Sequence, residues 1–391
     1  MHIVLAVLWL IVVIDAVWWW LVTRWTRKKF PRVVIALFMS GQIVGFLWLI
    51  ASRWSGSGAD RVVPEFVSVA LLLWHSLGTA LLIILALPLA LALLVIRRRE
   101  GRQSGSANDE RALSRREFLG FTAALAPPLF TISLSGIAMA QLQNFRVRRF
   151  VLPFANLPLA LDGFTIAQVA DIHVGRFTSG RVLKKMVATV NDLRSDLVLL
   201  AGDLINDALA DLDEGISLAR QMQGRFGLFN IEGNHDLIEN PAEFERRMRA
   251  SGIPFLLDQT AIVPVNGAPL QLLGLSWTRT HEYRDAAISA AVKNLLRLRQ
   301  PDAFPVLLAH HPHAFDEAIA QAMPLTLSGH THGGQLMWNE HVGFGPALFR
   351  YWSGRYLRGA SQLVVSNGVG NWYPLRVNAP AEILHLTLRR A

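Results

Sequence analysis

Long apolar runs fill the first 141 residues, whereas the rest of the chain alternates short apolar runs with amphipathic segments. Four runs come close to or exceed the roughly 18 residues that a helix needs to cross the hydrocarbon core of a bilayer. We therefore predict a membrane region over residues 1–141 with about four transmembrane helices. Their expected bounds are 3–22, 33–51, 66–96 and 118–140, the last being the weakest because it contains Pro127 and Pro128. Asp15 and His75 fall inside two of these runs, where ionisable side chains are costly, so we expect them to face other helices or water.

Beyond residue 163, runs rich in Val, Leu and Ile predict strands, and the amphipathic segments between them predict helices. The expected strands are 164–170, 197–201, 227–231, 269–275, 306–309, 325–328, 363–366 and 382–388. The expected helices are 180–193, 211–223, 242–251, 285–298 and 314–322. This alternation is typical of an α/β domain with sheets in its interior. We place that domain at 164–391 and a juxtamembrane segment at 142–163.

The basic residues predict the orientation of the apolar helices, because short cytoplasmic loops collect Lys and Arg. The loops at 23–32 and 97–117 are rich in them, whereas the loop at 52–64 has only Arg53 and Arg61. This pattern places the amino terminus outside, and a fourth span then places the α/β domain outside as well. We therefore expect a multi-pass protein of the bacterial cytoplasmic (inner) membrane with this domain on the periplasmic side. The net charge of +9 is then largely a topology signal, and no nucleic-acid partner is expected.

A twin-arginine pattern precedes the fourth apolar run. Residues 114–119 read Ser-Arg-Arg-Glu-Phe-Leu, and the run ends in Ala138-Met139-Ala140. This arrangement resembles a twin-arginine export signal with a cleavage site near Ala140, although such a signal is unusual at an internal position. The alternative is an ordinary span preceded by two more cytoplasmic arginines, and both interpretations stay open.

Side chains that can bind metals follow five of the expected strands. They are Asp171 and His173, Asp203, Asn234, His310, and His330 with His332. Because loops at one edge of an α/β sheet converge, we expect these groups to meet. In an extended segment residues i and i+2 point the same way, so each of the pairs 171/173 and 330/332 should present two ligands to one space. The chain has no cysteine, which excludes thiolate ligands and disulfides.

The charges and the number of these groups favour two divalent cations. Two aspartates and neutral ligands would leave a two-cation cluster positive, which attracts phosphate and stabilises the transition state of its transfer. Seven ligands are too many for one catalytic zinc, whereas two cations that share Asp203 would use them all. Nitrogen and oxygen ligands suit Mn²⁺, Fe²⁺ or Zn²⁺, and the choice among them stays open.

Five sequence blocks, taken in order, resemble the calcineurin-like metallophosphoesterase superfamily. They are Asp171-x-His173, Gly202-Asp203, Gly233-Asn234-His235-Asp236, His310 and Gly329-His330-x-His332. The resemblance implies an α/β fold, a two-sheet β-sandwich flanked by helices, here preceded by a helical transmembrane region. It implies one metal on Asp171, His173, Asp203 and His332, and a second on Asp203, Asn234, His310 and His330. It also implies attack by a metal-bound hydroxide, with His235 contacting the phosphate and helping the leaving group, and Asp236 orienting His235.

Three short segments near the carboxyl terminus resemble the bacterial membrane-associated branch with twin-arginine signals. They are Gly354-Arg355-Tyr356, Ser366-Asn367-Gly368-Val369-Gly370 and Pro374-Leu375-Arg376. That branch commonly has His-Asn-Pro where this chain has His310-His311-Pro312, so the role of His311 is ambiguous and His310 is preferred as the ligand. Four arginines, interleaved with aromatic residues, form either a rim that grips phosphate or lipid, or ordinary surface charges. They are Arg350, Arg355, Arg358 and Arg376.

Three functions are open from the sequence. The first is a membrane-anchored metal-dependent hydrolase of phosphoric esters, most simply a phosphodiesterase, acting on a phosphoester that could be lipid-linked. The second is hydrolysis of the pyrophosphate of UDP-2,3-diacylglucosamine, a lipid substrate that related enzymes handle on the cytoplasmic side, against the predicted topology. The third is a non-catalytic membrane module that binds metal, which the complete ligand set disfavours.

Overall fold

The computed structural model describes residues 2–25, 29–55, 62–86, 88, 91–92, 95, 115–277 and 285–391. The chain divides into two compact units, Met1–Met139 and Ala140–Ala391. In the described residues, the first unit is helical and the second contains every strand.

Three long helices and one interrupted helix lie in the amino-terminal part of the chain. They are α1 (His2–Trp25), α2 (Lys29–Ser55), α3 (Glu65–Leu73) and α4 (Arg115–Leu142). Helix α3 continues through the π-helical turn Trp74–Gly78, the α-helical Thr79–Leu81 and a second π-helical turn, Leu82–Ala86. Among the described residues, Arg32–Ser52, Glu65–Ile84 and Leu125–Leu142 are long and apolar enough to cross a membrane, and Trp9–Thr23 is a shorter apolar helix. The arrangement of four spans stays a prediction, and much of the loop expected at 97–117 lies outside the described residues.

The two ionisable residues expected inside the apolar runs, Asp15 and His75, are buried together. Asp15 accepts a hydrogen bond of 3.0 Å from Nε1 of Trp74, and its other oxygen lies 3.1 Å from Nε2 of His75. The remaining ring nitrogen of His75 lies 2.8 Å from the carbonyl of Leu71, and the ring of Phe46 stacks on it with 3.8 Å between centroids. These contacts offset the cost of burying a carboxylate in apolar surroundings.

Two mixed sheets form the second unit. The strands are β1 (Arg146–Phe154), β2 (Thr165–Val169), β3 (Leu197–Ala201), β4 (Leu228–Ile231), β5 (Gln259–Val265), β6 (Ala268–Gly274), β7 (Phe304–Leu308), β8 (Leu325–Ser328), β9 (Gly354–Arg358), β10 (Ser361–Val365) and β11 (Glu382–Arg390). The five-stranded sheet has the order β1-β11-β2-β3-β4, and the six-stranded sheet has the order β5-β6-β7-β8-β10-β9. Strands β2, β3 and β4 are parallel to one another, as are β6, β7, β8 and β10. The parallel strands therefore bring their carboxyl ends to a common edge of each sheet.

The sheets pack face to face, and helices cover their outer faces. The helices of this unit are α5 (Arg181–Asp192), α6 (Leu212–Gln221), α7 (Pro241–Ala250), α8 (Asp285–Leu296), α9 (Ala314–Ala320) and α10 (Phe344–Leu348). Along β3, Leu199 joins a core shared with the second sheet, whereas Val198 and Leu200 pack with residues of α5, α6 and α7. Helices α8 and α9 pack on the second sheet through Val292 and Phe315. Strands buried on both faces are apolar throughout, as all five residues of β3 are.

The predicted two-sheet sandwich flanked by helices is confirmed, and each expected strand and helix overlaps an observed one. Strands β1, β5 and β9 were not predicted. Residues 146–154 of the expected juxtamembrane segment form β1, which pairs in parallel with β11 at the edge of the first sheet. Its basic residues conceal the strand, because an edge strand tolerates charged side chains. Arg146 and Arg148 lie 2.8 Å and 3.5 Å from the buried carboxylate of Glu382, so these charges hold the strand pair together.

Candidate metal centre and active site

The expected metal ligands lie in loops that follow the carboxyl ends of parallel strands. Asp171 and His173 follow β2, Asp203 follows β3, Asn234 and His235 follow β4, His310 follows β7, and His330 and His332 follow β8. The edges of both sheets contribute, which is where loops of α/β folds gather ligands.

The backbone at this edge is left-handed at five of the expected ligands. The φ angles are 53° at Asp171, 49° at His173, 56° at Asp203, 73° at His330 and 49° at His332. Such angles cost non-glycine residues of order 1–3 kcal/mol each, and they cluster at functional sites. The expectation that the pairs 171/173 and 330/332 share a side because the chain is extended is therefore wrong in its reason. Left-handed residues, not strand alternation, turn both members of each pair inward.

Two glycines make room for these side chains. Gly202 has a φ of 89°, and a Cβ there would lie 2.5 Å from Nδ1 of His310. Gly368 has a φ of 74°, and a Cβ there would lie 2.6 Å from Cβ of Asp171. Glycine is therefore required at both positions for its conformation and for the space it leaves.

One group of candidate ligands consists of Asp171, His173 and His332, all buried. The Nε2 atoms of His173 and His332 are 3.0 Å apart, and Nε2 of His332 lies 3.5 Å from Oδ1 of Asp171. Oδ2 of Asp171 and Nδ1 of His173 are buried without a hydrogen-bond partner among the described residues. The ligand atoms of this group lie close together, and the hydrogen bonds within the group do not satisfy all of its polar atoms. A bound cation would satisfy such an arrangement.

A second group consists of Asp203, His310 and His330, with Asn234 beside it. Nε2 of His310 lies 3.2 Å from Oδ2 of Asp203, and Nδ1 of His330 lies 2.8 Å from Oδ1 of Asn234. The same Oδ2 of Asp203 is 3.6 Å from Nε2 of His173 in the first group. Asp203 therefore stands between the two groups. Nδ1 of His310 donates to the Ala201 carbonyl at 2.7 Å, which directs Nε2 toward the centre, as second-sphere partners of metal ligands do.

His235 lies at the edge of this cluster, and one of its ring nitrogens is within 4.8 Å of ligand atoms of His173 and Asp203. Its backbone N–H donates to Oδ1 of Asp203 at 2.8 Å. Its Nδ1 lies 2.6 Å from the carbonyl of Asn206, to which it can donate. That contact sets the ring orientation and leaves Nε2 as the atom that faces the cluster.

Asp236 has a different position from the one expected. Its carboxylate accepts the backbone N–H groups of Asp203, Gly233 and Ile205 at 2.9–3.0 Å. The expectation that Asp236 orients His235 is corrected, since the Asn206 carbonyl does so. Asp236 instead ties the loop after β3 to the loop after β4, and it thereby positions Asp203.

Burial and mutual charge set the protonation of the cluster. Burial, with the nearby Asp203 carboxylate, raises the pKa of Asp171 to about 7, against the lowering effect of His310. Burial opposes ionisation of Asp203 too, but the charge and hydrogen bond of His310 outweigh it and hold the pKa of Asp203 well below its usual range. Conversely, burial lowers the pKa of His310, but Asp203 raises it to about 9. Burial also holds the pKa values of His173, His330 and His332 well below the usual range, so these rings are neutral.

Arg376 lies behind this cluster and is buried, so its assignment to an arginine rim or to surface charges is wrong. Its guanidinium donates to the carbonyls of Asn367 and Gly370 at 2.6 Å each and lies 2.9 Å from Nδ1 of His332. Because guanidinium is only a donor, Nδ1 of His332 accepts, and the proton of the neutral ring lies on Nε2. Of the other arginines, Arg350 pairs with two surface carboxylates, those of Asp285 and Asp316.

Aromatic side chains surround the cluster, and the sequence did not reveal them. The ring of Trp277 lies 5.2 Å from that of His330, the ring of Phe349 lies 5.6 Å from His330, and the ring of Trp372 lies 6.1 Å from His235. These residues stand outside the resembling blocks. Trp277 could have been found from its place just after β6, another strand of the parallel set. The ring of the ambiguous His311 lies 4.8 Å from that of His330, beside the cluster.

Comparison with known proteins assigns the class. The family model described as calcineurin-like phosphoesterase matches residues 164–334. The metallophosphoesterase YkuE of Bacillus subtilis is 30% identical over 301 residues, which cover 71% of this chain and 98% of YkuE. The chain belongs to the calcineurin-like phosphoesterase family, whose members depend on metals, and it is a hydrolase of phosphoric esters. The non-catalytic interpretation is therefore set aside.

Two further relatives have informative names. A zebrafish "transmembrane protein with metallophosphoesterase domain" is 30% identical over 249 residues, 61% of this chain and 56% of the relative. The Escherichia coli phosphodiesterase YaeI is 29% identical over 238 residues, 58% of this chain and 82% of YaeI. The chain thus matches only about half the length of the zebrafish relative. Together with the apolar helices, the name of that relative suggests association with a membrane.

Proposed function

We propose that this chain is a membrane-anchored phosphodiesterase that uses two divalent cations. The observation that carries the proposal is the position of Asp203, whose Oδ2 lies 3.2 Å from Nε2 of His310 and 3.6 Å from Nε2 of His173. Asp203 would be shared, with Asp171, His173 and His332 on one side and Asn234, His310 and His330 on the other. The nitrogen and oxygen donors suit Mn²⁺, Fe²⁺ or Zn²⁺. When bound, two such cations supply Lewis-acid charge and an activated water for hydrolysis.

The side chains of this chain would bind the phosphate group and manage its protons. The buried ligands carry only two carboxylates, so the loaded site has an excess of positive charge that favours an anionic substrate. The Nδ1 proton of His235 is directed to the Asn206 carbonyl, so a protonated ring would carry its second proton on Nε2. From there it can pass to the departing alkoxide as the ester bond breaks. Trp277, Phe349 and Trp372 would limit the access of bulk water.

The support for the location comes from the apolar helices and from relatives whose names include a transmembrane region. We place the protein in the bacterial cytoplasmic membrane with the metallophosphoesterase domain on the periplasmic side, following the alternation of basic loops. The twin-arginine signal at 114–119 stays a prediction. A phosphatase reporter and a fluorescent-protein reporter fused after Ala391 test the side. We expect the phosphatase fusion to be active and the fluorescent-protein fusion to be non-fluorescent. An inactive phosphatase fusion with a fluorescent partner fusion would contradict this location.

The activity test uses the full-length protein in mild detergent, stripped by a chelator and reloaded with Mn²⁺. Reloading is expected to restore hydrolysis of an aryl phosphodiester in preference to the matching monoester. Asp203→Asn, which keeps the side-chain volume, should lower that activity by about a hundredfold or more, because both cations lose a ligand. Asp302→Asn, at an exposed position, is the matched control and should retain activity. Equal activity in the two variants would refute the site.

A second variant separates metal binding from proton transfer. His235→Ala should keep two bound cations per chain and lose most of the activity, since Nε2 of His235 faces the cluster and would carry the proton that passes to the leaving group. Loss of metal in this variant would instead make His235 a ligand, which its distance from Asp203 and His173 also permits. Full activity would remove His235 from the mechanism.

The lipid pyrophosphate remains a second candidate substrate, favoured by the partly exposed Trp372 beside the cluster. An amphiphile could place its apolar part against this ring while its phosphates enter the site. Comparing the aryl diester with UDP-2,3-diacylglucosamine as substrates decides between the two. Faster turnover of the lipid, together with a cytoplasmic reporter signal, would favour the second candidate.

A further inference from the structure

A short segment of the metallophosphoesterase domain exposes large apolar side chains to solvent. We call residues 338–348 the apolar loop. Trp338 is 83% exposed, Val342 56%, Phe344 53% and Leu348 66%. The N–H of Trp338 donates to the carbonyl of Val342 at 2.8 Å, and helix α10 places Phe344 and Leu348 one turn apart on one face. Soluble surfaces rarely group such residues unless something binds there.

The apolar loop is linked by hydrogen bonds to the end of the last apolar helix. Nδ2 of Asn378 donates to the carbonyl of Trp338 at 2.9 Å, and the N–H of Met337 donates to the carbonyl of Val377 at 2.9 Å. In the same strip, the N–H of Arg376 donates to Oε1 of Gln141 at 3.0 Å. Gln141 is the penultimate residue of the apolar segment Leu125–Leu142. All of these contacts lie within the unit Ala140–Ala391.

We propose that the apolar loop inserts into the interfacial layer of the bilayer that holds the apolar helices. The 18 residues of Leu125–Leu142 extend about 27 Å as a helix, so a spanning helix of this length places Gln141 near the membrane surface. The strip 376–378 then brings the apolar loop to the same level. Trp and Phe are favoured there, because their rings bury apolar surface while the indole N–H reaches water or headgroups.

Docking of this kind would set the height of the active site above the lipid. Phe349 directly follows the apolar loop, and its ring lies 5.6 Å from that of His330. Consecutive residues of the chain would therefore contact the lipid surface and line the mouth of the metal site. This consequence rests on the proposed site, whereas the docking itself does not.

The absence of cysteine from the chain permits labelling at one chosen position. Phe344→Cys, carrying an environment-sensitive fluorophore, is compared with Leu298→Cys, which lies at a position 51% exposed on the same unit. The full-length protein is reconstituted at one copy per nanodisc of phosphatidylcholine and phosphatidylglycerol, with and without lipids that are spin-labelled near the headgroup. We expect emission from position 344 to be shifted to the blue and quenched several-fold more strongly than emission from position 298. Equal quenching at the two positions would overturn the proposal.

Two further results distinguish lipid from protein as the partner that covers the apolar loop. A blue shift at position 344 without quenching by spin-labelled lipid would mean that protein, either a partner or a second copy, covers the loop, and would overturn the lipid assignment. Trp338→Ser in the Phe344→Cys background should reduce quenching at 344, whereas Ile262→Ser on β5 should not. Hydrolysis of the soluble aryl diester should be unchanged by Trp338→Ser, so failure of the docking proposal is distinguishable from failure of the proposed activity.

Discussion

The Nε2 atoms of His173 and His332 lie 3.0 Å apart, although 159 positions separate the two residues in the sequence. The contact joins the loop after β2, in the first sheet, to the loop after β8, in the second sheet. Two imidazole nitrogens this close either share a proton or share a cation. The site therefore depends on the packing of one sheet against the other.

Substitution of these two histidines tests whether they bind the same cation. We expect His173→Ala and His332→Ala each to lower the bound metal from two per chain to one, measured by mass spectrometry of the purified protein. The double variant should lose no more metal than either single variant, because one shared ligand sphere is non-additive. His385→Ala, on β11, serves as the control and should retain both cations. Additive loss of metal in the double variant would contradict a shared cation.

Metal binding should become tighter as the pH rises. The pKa of Asp171 is raised to about 7 and that of His310 to about 9, and both groups must lose their protons to bind a cation. Raising the pH from about 6 to about 8 removes competing protons, so affinity should increase and each binding event should release protons. Calorimetry in buffers of different ionisation enthalpy measures this release. Buffer-independent heats and equal affinities at the two pH values would show that the ligands are already deprotonated.

A comparison of Gly368 with Gly267 separates two effects of adding a side chain: the cost of a positive φ angle and the steric contact with Asp171. Both have a positive φ, 74° and 85°, but only at Gly368 would a Cβ meet Asp171, whereas at Gly267 nothing lies within 4 Å. Gly267→Ala should cost only the conformational penalty of about 1–2 kcal/mol and keep full metal binding. Gly368→Ala should displace Asp171 and weaken metal binding by at least about tenfold, a loss like that caused by disturbing a ligand's support. Equal metal affinities in the two variants would contradict this role of Gly368.

The buried pair in the helical unit should matter for stability. His75→Leu leaves the carboxylate of Asp15 with Trp74 as its hydrogen-bond donor, and loss of one partner of a buried pair costs about 3–5 kcal/mol. Replacing both Asp15 and His75 by Leu should recover much of that loss, since no charge is then buried. Thermal unfolding of the full-length protein in detergent measures the order of the variants. Ser40→Leu, at an exposed helix position, is the control, and a double variant less stable than His75→Leu would contradict the pairing.

The sequence predicted the parts of the site that depend only on which side chain follows each strand. Asp171, Asp203 and His310 follow apolar runs that become parallel strands, and parallel strands necessarily bring their following loops to one edge. The orientation of His235 could not be predicted, because it depends on the carbonyl of Asn206, and every residue has a carbonyl. Nor could the burial of Arg376, since a single arginine has no periodicity that distinguishes a core position from a surface one.

The same reasoning explains which parts of the fold were missed. Strand β1 carries Arg146 and Arg148 because the buried Glu382 lies beside it, a partner 236 positions away from Arg146. The local sequence pattern alone predicts that these arginines are exposed to solvent. The left-handed residues of the site were missed for a related reason, since such angles are uncommon for any non-glycine residue and the surrounding tertiary contacts impose them.

The pairing of β1 with β11 has a consequence for how the protein is made. The first strand of the domain pairs along its whole length with β11 (Glu382–Arg390), the strand of this domain that is made last. During synthesis the ribosome must therefore complete β11 before the first strand can find its neighbour. If the upstream apolar helices enter a bilayer, they would do so while the domain is still open, so insertion would precede the assembly of a working catalyst.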